Sequence, residues 1–109
     1  MSDINTWIDE VVKSNDVVLF MKGNAQMPMC GFSGRAIQIL NHLGVPFKDV
    51  NVLDSEELRQ GVKAYTNWPT IPQLYIKGEF VGGSDIMMEM FQSGELKAML
   101  DEKGVPVQA

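Results

Sequence analysis

The chain carries a single sulfur nucleophile. Cys30 stands between Pro28 and Gly31, just ahead of a segment whose apolar residues recur with helical spacing. The first N–H groups of a helix have no partner within it and the helix dipole is positive there, so a cysteine at that point favours thiolate over thiol. A thiolate attacks disulfides and binds soft metals. An isolated cysteine can also be a buried, inert one, but the flanking proline and glycine put Cys30 on an exposed loop tip at a helix N-terminus.

Three other stretches carry candidate chemistry. Lys22 directly follows the apolar run Val17 to Met21, at the carboxyl end of a strand, the edge at which open α/β sheets bind ligands. Its ammonium could lower the pKa of a nearby thiol or grip a carboxylate, or it could be a solvated turn lysine. Gly82, Gly83, Ser84 and Asp85 open a helix with backbone room for a ligand, N–H donors for an anion and a carboxylate for an amine. Hairpin glycines followed by a simple N-cap would use the same residues. In Trp68-Pro-Thr-Ile-Pro72, a cis bond before Pro72 would turn the Ile71 backbone outward, ready to pair with an extended peptide. Tyr65 and Trp68 read as packing residues, and His42 as a helix C-terminal imidazole without a second histidine to share a metal. Most of the eight methionines read as core fill.

These residues need elements to hold them. Trp7, Ile8, Val11 and Val12 mark a first helix, capped at Ser2 or Asp3 and ended by Ser14-Asn-Asp16. Val17 to Met21 reads as a strand buried on both faces. A helix runs from Gly31 to Gly44, a looser strand spans Phe47 to Val52, and Asp54-Ser-Glu-Glu57 opens a helix reaching about Tyr65. Gln73 to Lys77 and Phe80 to Gly83 form a hairpin around Gly78-Glu79; Ser84 or Asp85 caps another helix; a last one spans roughly Gly94 to Lys103. Residues 104–109 are expected to fray. The order α-β-α-β-α-β-β-α-α predicts one α/β domain over residues 1–109, a three-layer sandwich around a four-stranded mixed sheet with about five helices.

Composition narrows the function classes. At 109 residues, 45% apolar and 21% charged, the chain has the balance of one globular domain able to bury a core unaided. One cysteine excludes an intramolecular disulfide and any four-thiolate site built from a single chain. A net charge of −5 provides no basic stripe, so nucleic acid is not an expected partner. No apolar run approaches the ~20 residues of a membrane span. The acidic start matches neither a signal nor a transit peptide, so the expected location is the cytoplasm, where a lone thiol stays reduced.

Taken together, Lys22, Cys30-Gly-Phe-Ser33, Trp68-Pro-Thr-Ile-Pro72 and Gly82-Gly-Ser-Asp85 resemble, in order and spacing, the single-domain monothiol glutaredoxins of the Cys-Gly-Phe-Ser type. The likeness extends from about Trp7 to Leu100 and implies a thioredoxin-like fold. It also implies glutathione along the shared edge. Lys22 and Arg59 would meet its glycine carboxylate, Ile71 beside a cis Pro72 its cysteinyl backbone, and Ser84 with Asp85 its γ-glutamyl end. Phe32 would line the pocket near the sulfur, with Lys63 and Gly83 as further contacts. Ser84 stands where many such proteins have a second cysteine, and Asn24-Ala25-Gln26 replaces a segment that often holds a proline, so the resemblance leaves the Lys22 to Met29 loop undefined.

A [2Fe–2S] cluster takes four sulfur ligands and one chain offers one. Two chains with two glutathiones complete the set. The leading expectation is a homodimer bridged by a labile [2Fe–2S] cluster on Cys30 of each chain, monomeric without it, carrying clusters to acceptor or assembly proteins. The alternative is glutathione-dependent thiol–disulfide exchange through Cys30, although the resemblance implies a weak general reductase. A redox-sensing module capped by glutathione is the third reading.

Overall fold

The computed structural model describes residues 3–106. Its centre is β1 (Val17–Met21), all five residues of which are buried, as a continuous β-branched and apolar run requires. β1 lies between β2 (Lys48–Asn51) and β3 (Gln73–Ile76), and β4 (Glu79–Gly82) completes the order β2-β1-β3-β4. β2 runs parallel to β1, with Met21 opposite Asn51, so the chain needs a crossover, and α2 (Gly31–Leu43) is that crossover. β3 runs antiparallel to β1, placing Phe20 opposite Gln73, and pairs antiparallel with β4.

Alternation along β1 divides the interior into two cores. Val17, Leu19 and Met21 join Leu74 and Ile76 against α2, α4 (Ser84–Ser93) and α5 (Glu95–Glu102). Val18 and Phe20 face the other way, with Tyr75, against α1 (Ile4–Ser14) and α3 (Glu56–Thr66). The result is the expected three-layer sandwich around a mixed four-stranded sheet. It places α3 and α4 on opposite faces, so that the edge between them can form a cleft.

Several boundaries differ from those read in the sequence. β2 stops at Asn51 because the Asn51 Oδ1 accepts the Leu53 N–H at 2.9 Å and turns Val52–Asp54 into a 3-10 turn. α3 begins at Glu56 rather than Asp54, capped by Ser55, whose Oγ accepts the Leu58 N–H at 3.2 Å. The hairpin turn falls on Lys77 and Gly78, with φ of 53° and 81°, since a two-residue turn of matching twist needs two left-handed residues. Gly104 and Val105, expected to fray, are tied to α5. Val105 donates its N–H to Leu100 O at 2.9 Å and is buried in the larger core. Asp3 precedes α1 without a side-chain capping bond, while Ser2 and residues 107–109 lie outside the described residues. No described helix is long and apolar enough to cross a membrane.

Leu19, fully buried in the central strand, tests the core on the α2 side. Leu19→Ala is expected to cost about 2–5 kcal/mol, read as a lower urea midpoint at unchanged slope. A loss below about 0.5 kcal/mol, the scale of a surface change, would contradict this packing.

Candidate functional site

The loop after β1 carries the thiol, and hydrogen bonds hold both of its feet. Lys22 donates its N–H to the fully buried Ser33 Oγ at 3.0 Å, and its carbonyl accepts the Met29 N–H at 2.8 Å. From β2, Asn51 Oδ1 accepts the Gly23 N–H at 3.0 Å and Asp49 Oδ2 accepts the Ala25 N–H at 2.8 Å. Asn24 Oδ1 takes the N–H groups of Gln26 and Met27 at 3.0 and 2.8 Å. An Asx turn therefore shapes the Asn24-Ala25-Gln26 segment without a proline. Gly23 has φ +88°, and a Cβ there would collide with Met27 O and lie 2.6 Å from Met29 N. Only glycine fits so close a return of the backbone.

Cys30 is the residue before α2 and is partly exposed. Its Sγ closes no capping bond of regular geometry. Burial pushes the thiol pKa up, but the backbone N–H groups of Ser33 and Phe32, the Ser33 hydroxyl and the charge of Lys22 outweigh it and hold the pKa below the ordinary value. Met27, Met29 and Phe32, near Cys30 in the chain, are 66, 62 and 55% exposed, so apolar side chains on the segment around the thiol are open to solvent.

A cleft of about 440 Å³ opens between α3 and the start of α4. It brings together all nine residues that the resemblance assigns to glutathione, Lys22, Phe32, Arg59, Lys63, Ile71, Pro72, Gly83, Ser84 and Asp85, whereas Gly82 does not line it. Cys30 itself does not line the cleft; it lies two residues before Phe32, which does. Arg59 and Lys63, one helical turn apart on α3, come from one face of the sheet, and Asp85 on α4 comes from the other. Between them runs the Trp68–Pro72 segment, in which the Ile71–Pro72 bond is cis. Neither the N–H nor the C=O of Ile71 meets a backbone partner among the described residues.

The structure separates two readings left open by the sequence. Gly83, not Ser84 or Asp85, occupies the capping position of α4, and no side chain closes the cap. Ser84 and Asp85 begin the first turn, where the dipole favours an anion and Asp85 stays exposed. Ser84 Oγ is buried without a hydrogen-bond partner, as are Arg59 Nε and Trp68 Nε1. Buried polar atoms without partners are uncommon in native proteins, and all three of these belong to residues lining one cleft. Trp68, read in the sequence as packing alone, does pack on Phe80 with ring centroids 5.7 Å apart, but it also forms cleft wall together with Thr70 and Ile86. An aromatic beside two prolines has no spacing that would reveal this second role.

The glutaredoxin family model matches residues 17–81, and a monothiol glutaredoxin of Synechocystis is 60% identical over 94 residues, covering 86% of this chain and 88% of its own length. The chain belongs to the monothiol glutaredoxin family. Its structure agrees with that of a monomeric truncated mutant of the Trypanosoma brucei 1-C glutaredoxin at a TM-score of 0.89 and 45% identity, covering 100% of this chain and 99% of the other. The glutaredoxin of a buckwheat glutaredoxin–glutathione complex matches at a TM-score of 0.82 and 26% identity, covering 94% and 91%. The thioredoxin-like fold expected from the resemblance is thus the observed one.

A thiolate forms once pH exceeds the thiol pKa, so the lowered value of Cys30 moves its reactivity to lower pH. Alkylation by iodoacetamide should reach half its maximal rate below the ~8.5 of an ordinary cysteine. Ser33→Ala should move that midpoint upward, because it removes one donor to the sulfur. An unmoved midpoint would contradict a contribution of the Ser33 hydroxyl to the shift.

Proposed function

We propose that this glutaredoxin binds glutathione along the cleft and carries a labile [2Fe–2S] cluster between two copies of itself, delivering it to acceptor proteins in a reducing compartment such as the cytoplasm. The observation that carries the reading is the pairing of one thiolate-favouring cysteine with a cleft whose charges suit a γ-glutamyl tripeptide. Glutathione has a carboxylate at its glycine end and an amine with a carboxylate at its γ-glutamyl end. Lys22 and Arg59, with Lys63 nearby, suit the first; Asp85 and the opening of α4 suit the second. The extended backbone at Ile71, beside Pro72, suits the peptide between them. The buckwheat glutaredoxin of the same fold forms a glutathione complex.

The donor set agrees with a shared cluster. The chain has one cysteine, so a single chain brings one thiolate ligand, Cys30. Two chains and two glutathione thiolates would make four. Because two of the ligands exchange with free glutathione, the cluster is cargo that can leave. Cys30 supplies its thiolate, the N–H groups of Phe32 and Ser33 with Lys22 stabilise that charge, and the cleft residues orient the tripeptide.

The lowered thiol pKa favours a second reading, glutathione-dependent disulfide exchange. The Cys30 thiolate would attack the glutathione sulfur of a mixed disulfide and release the protein thiolate. A second glutathione thiolate would then attack the Cys30–glutathione bond, freeing Cys30 and leaving oxidised glutathione.

Anaerobic treatment with iron, sulfide and glutathione should give a coloured species of twice the chain mass, and Cys30→Ser should give neither colour nor dimer. A colourless monomer that turns over glutathionylated protein briskly would establish the exchange reading instead. Asp85→Ala should weaken binding of reduced glutathione about tenfold, the scale of one charge-assisted hydrogen bond. Unchanged affinity would remove Asp85 from the site.

A further inference from the structure

The sheet contains one polar side chain with no exposure at all. Gln73 opens β3 opposite Phe20 and is fully buried, on the same side of the strand as Tyr75. Burying an amide is unfavourable unless its hydrogen bonds are met, and here they are met in a particular way. Gln73 Nε2 donates to Trp68 O at 3.1 Å and to Thr70 O at 3.2 Å. Gln73 Oε1 accepts the Tyr75 hydroxyl at 3.2 Å, and Thr66 Oγ1 lies 3.1 Å from it. Two carbonyls at one end and two hydroxyls at the other leave a single sensible orientation for the amide.

Both carbonyls belong to the segment that walls the cleft, and Trp68, Thr70 and Ile71 all line it. That segment has little regular structure of its own, since Pro69 and Pro72 contribute no N–H groups. Trp68 N–H reaches Lys63 O and Thr66 Oγ1, both at 3.2 Å, which ties the start of the segment to the end of α3. Beyond that point, the two bonds from Gln73 fix the backbone on which Trp68 and Thr70 sit.

We propose that Gln73 is the positioning residue of this wall: its buried amide clamps the Trp68 and Thr70 carbonyls so that Trp68, Thr70 and Ile71 present a preformed surface to the tripeptide. The inference rests on the proposed binding of glutathione in the cleft. Gln73 does not touch the ligand. It acts by removing backbone freedom that binding would otherwise have to remove. A leucine or methionine of similar size would pack in the same space but leave two carbonyls without donors.

The test is a titration with reduced glutathione of the whole chain and of Gln73→Met and Gln73→Glu, which keep the side-chain size but lack the amide donors. The dissociation constant should rise about tenfold in both variants, while the pH midpoint of Cys30 alkylation stays where it is in the unaltered chain. Equal affinity in the unaltered chain and a folded variant overturns the inference and leaves the glutathione reading intact. Absence of binding by the unaltered chain overturns that reading and the inference with it. Should neither variant fold, the unaltered chain decides: the Gln73 side-chain amide protons should already be protected from solvent exchange without glutathione, and exchange at the rate of an exposed glutamine overturns the clamp.

Discussion

Cys30 stands at the N-terminus of α2, where the N–H groups of Phe32 and Ser33 hold its thiol pKa below the ordinary value, and the other parts of the site are placed around that position. A thiol needs positive charge nearby to lose its proton near neutrality, and the first turn of a helix offers such charge without a further side chain. The cost is that the loop from β1 must return to the start of α2 in one defined way. Gly23 makes the return close enough, Asn51 and Asp49 hold it from the neighbouring strand, and Ser33 joins helix to strand through the Lys22 N–H. The chain supplies no second thiol to this thiolate. Either proposed role, exchange or cluster binding, would then depend on a second sulfur from outside.

The cleft follows from the topology of the sheet. Because β1 is central and its neighbours carry helices on both faces, the edge where β1 ends and β3 begins is flanked by α3 on one side and α4 on the other. Cations on one helix and a carboxylate on the other therefore line the cleft from opposite walls. The Trp68–Pro72 segment lies between, and the amide of Gln73 joins it to the core beneath. Rigid packing behind a site and unsatisfied polar atoms within it is the pattern expected where binding, rather than stability, decides the residues.

Much of this was legible in the residues because the signals were of two strong kinds. Apolar periodicity located the helices and β1, and prolines and glycines bounded the loops, so Lys22 and Cys30 could be assigned to one edge from sequence, while the family resemblance added Ser84 and Asp85. What was not legible depended on particular hydrogen bonds. The reach of one side-chain oxygen, Asn51 Oδ1, ended β2 early. Whether Ser84 caps α4 or begins it turns on a single residue, and short polar runs do not specify such boundaries. The second role of Trp68 and the clamp by Gln73 were hidden for the same reason. A buried glutamine in a strand reads as a polar interruption until its two acceptors are found across a loop.

If glutathione lies in the cleft with its sulfur at Cys30, the structure of the mixed disulfide between the two will show it most directly. The glycine carboxylate should sit at Lys22 and Arg59, the peptide backbone beside Ile71, and the γ-glutamyl end at Ser84 and Asp85. A tripeptide that runs in the reverse direction, or extends over Met27 and Met29 and leaves the cleft empty, would contradict this placement.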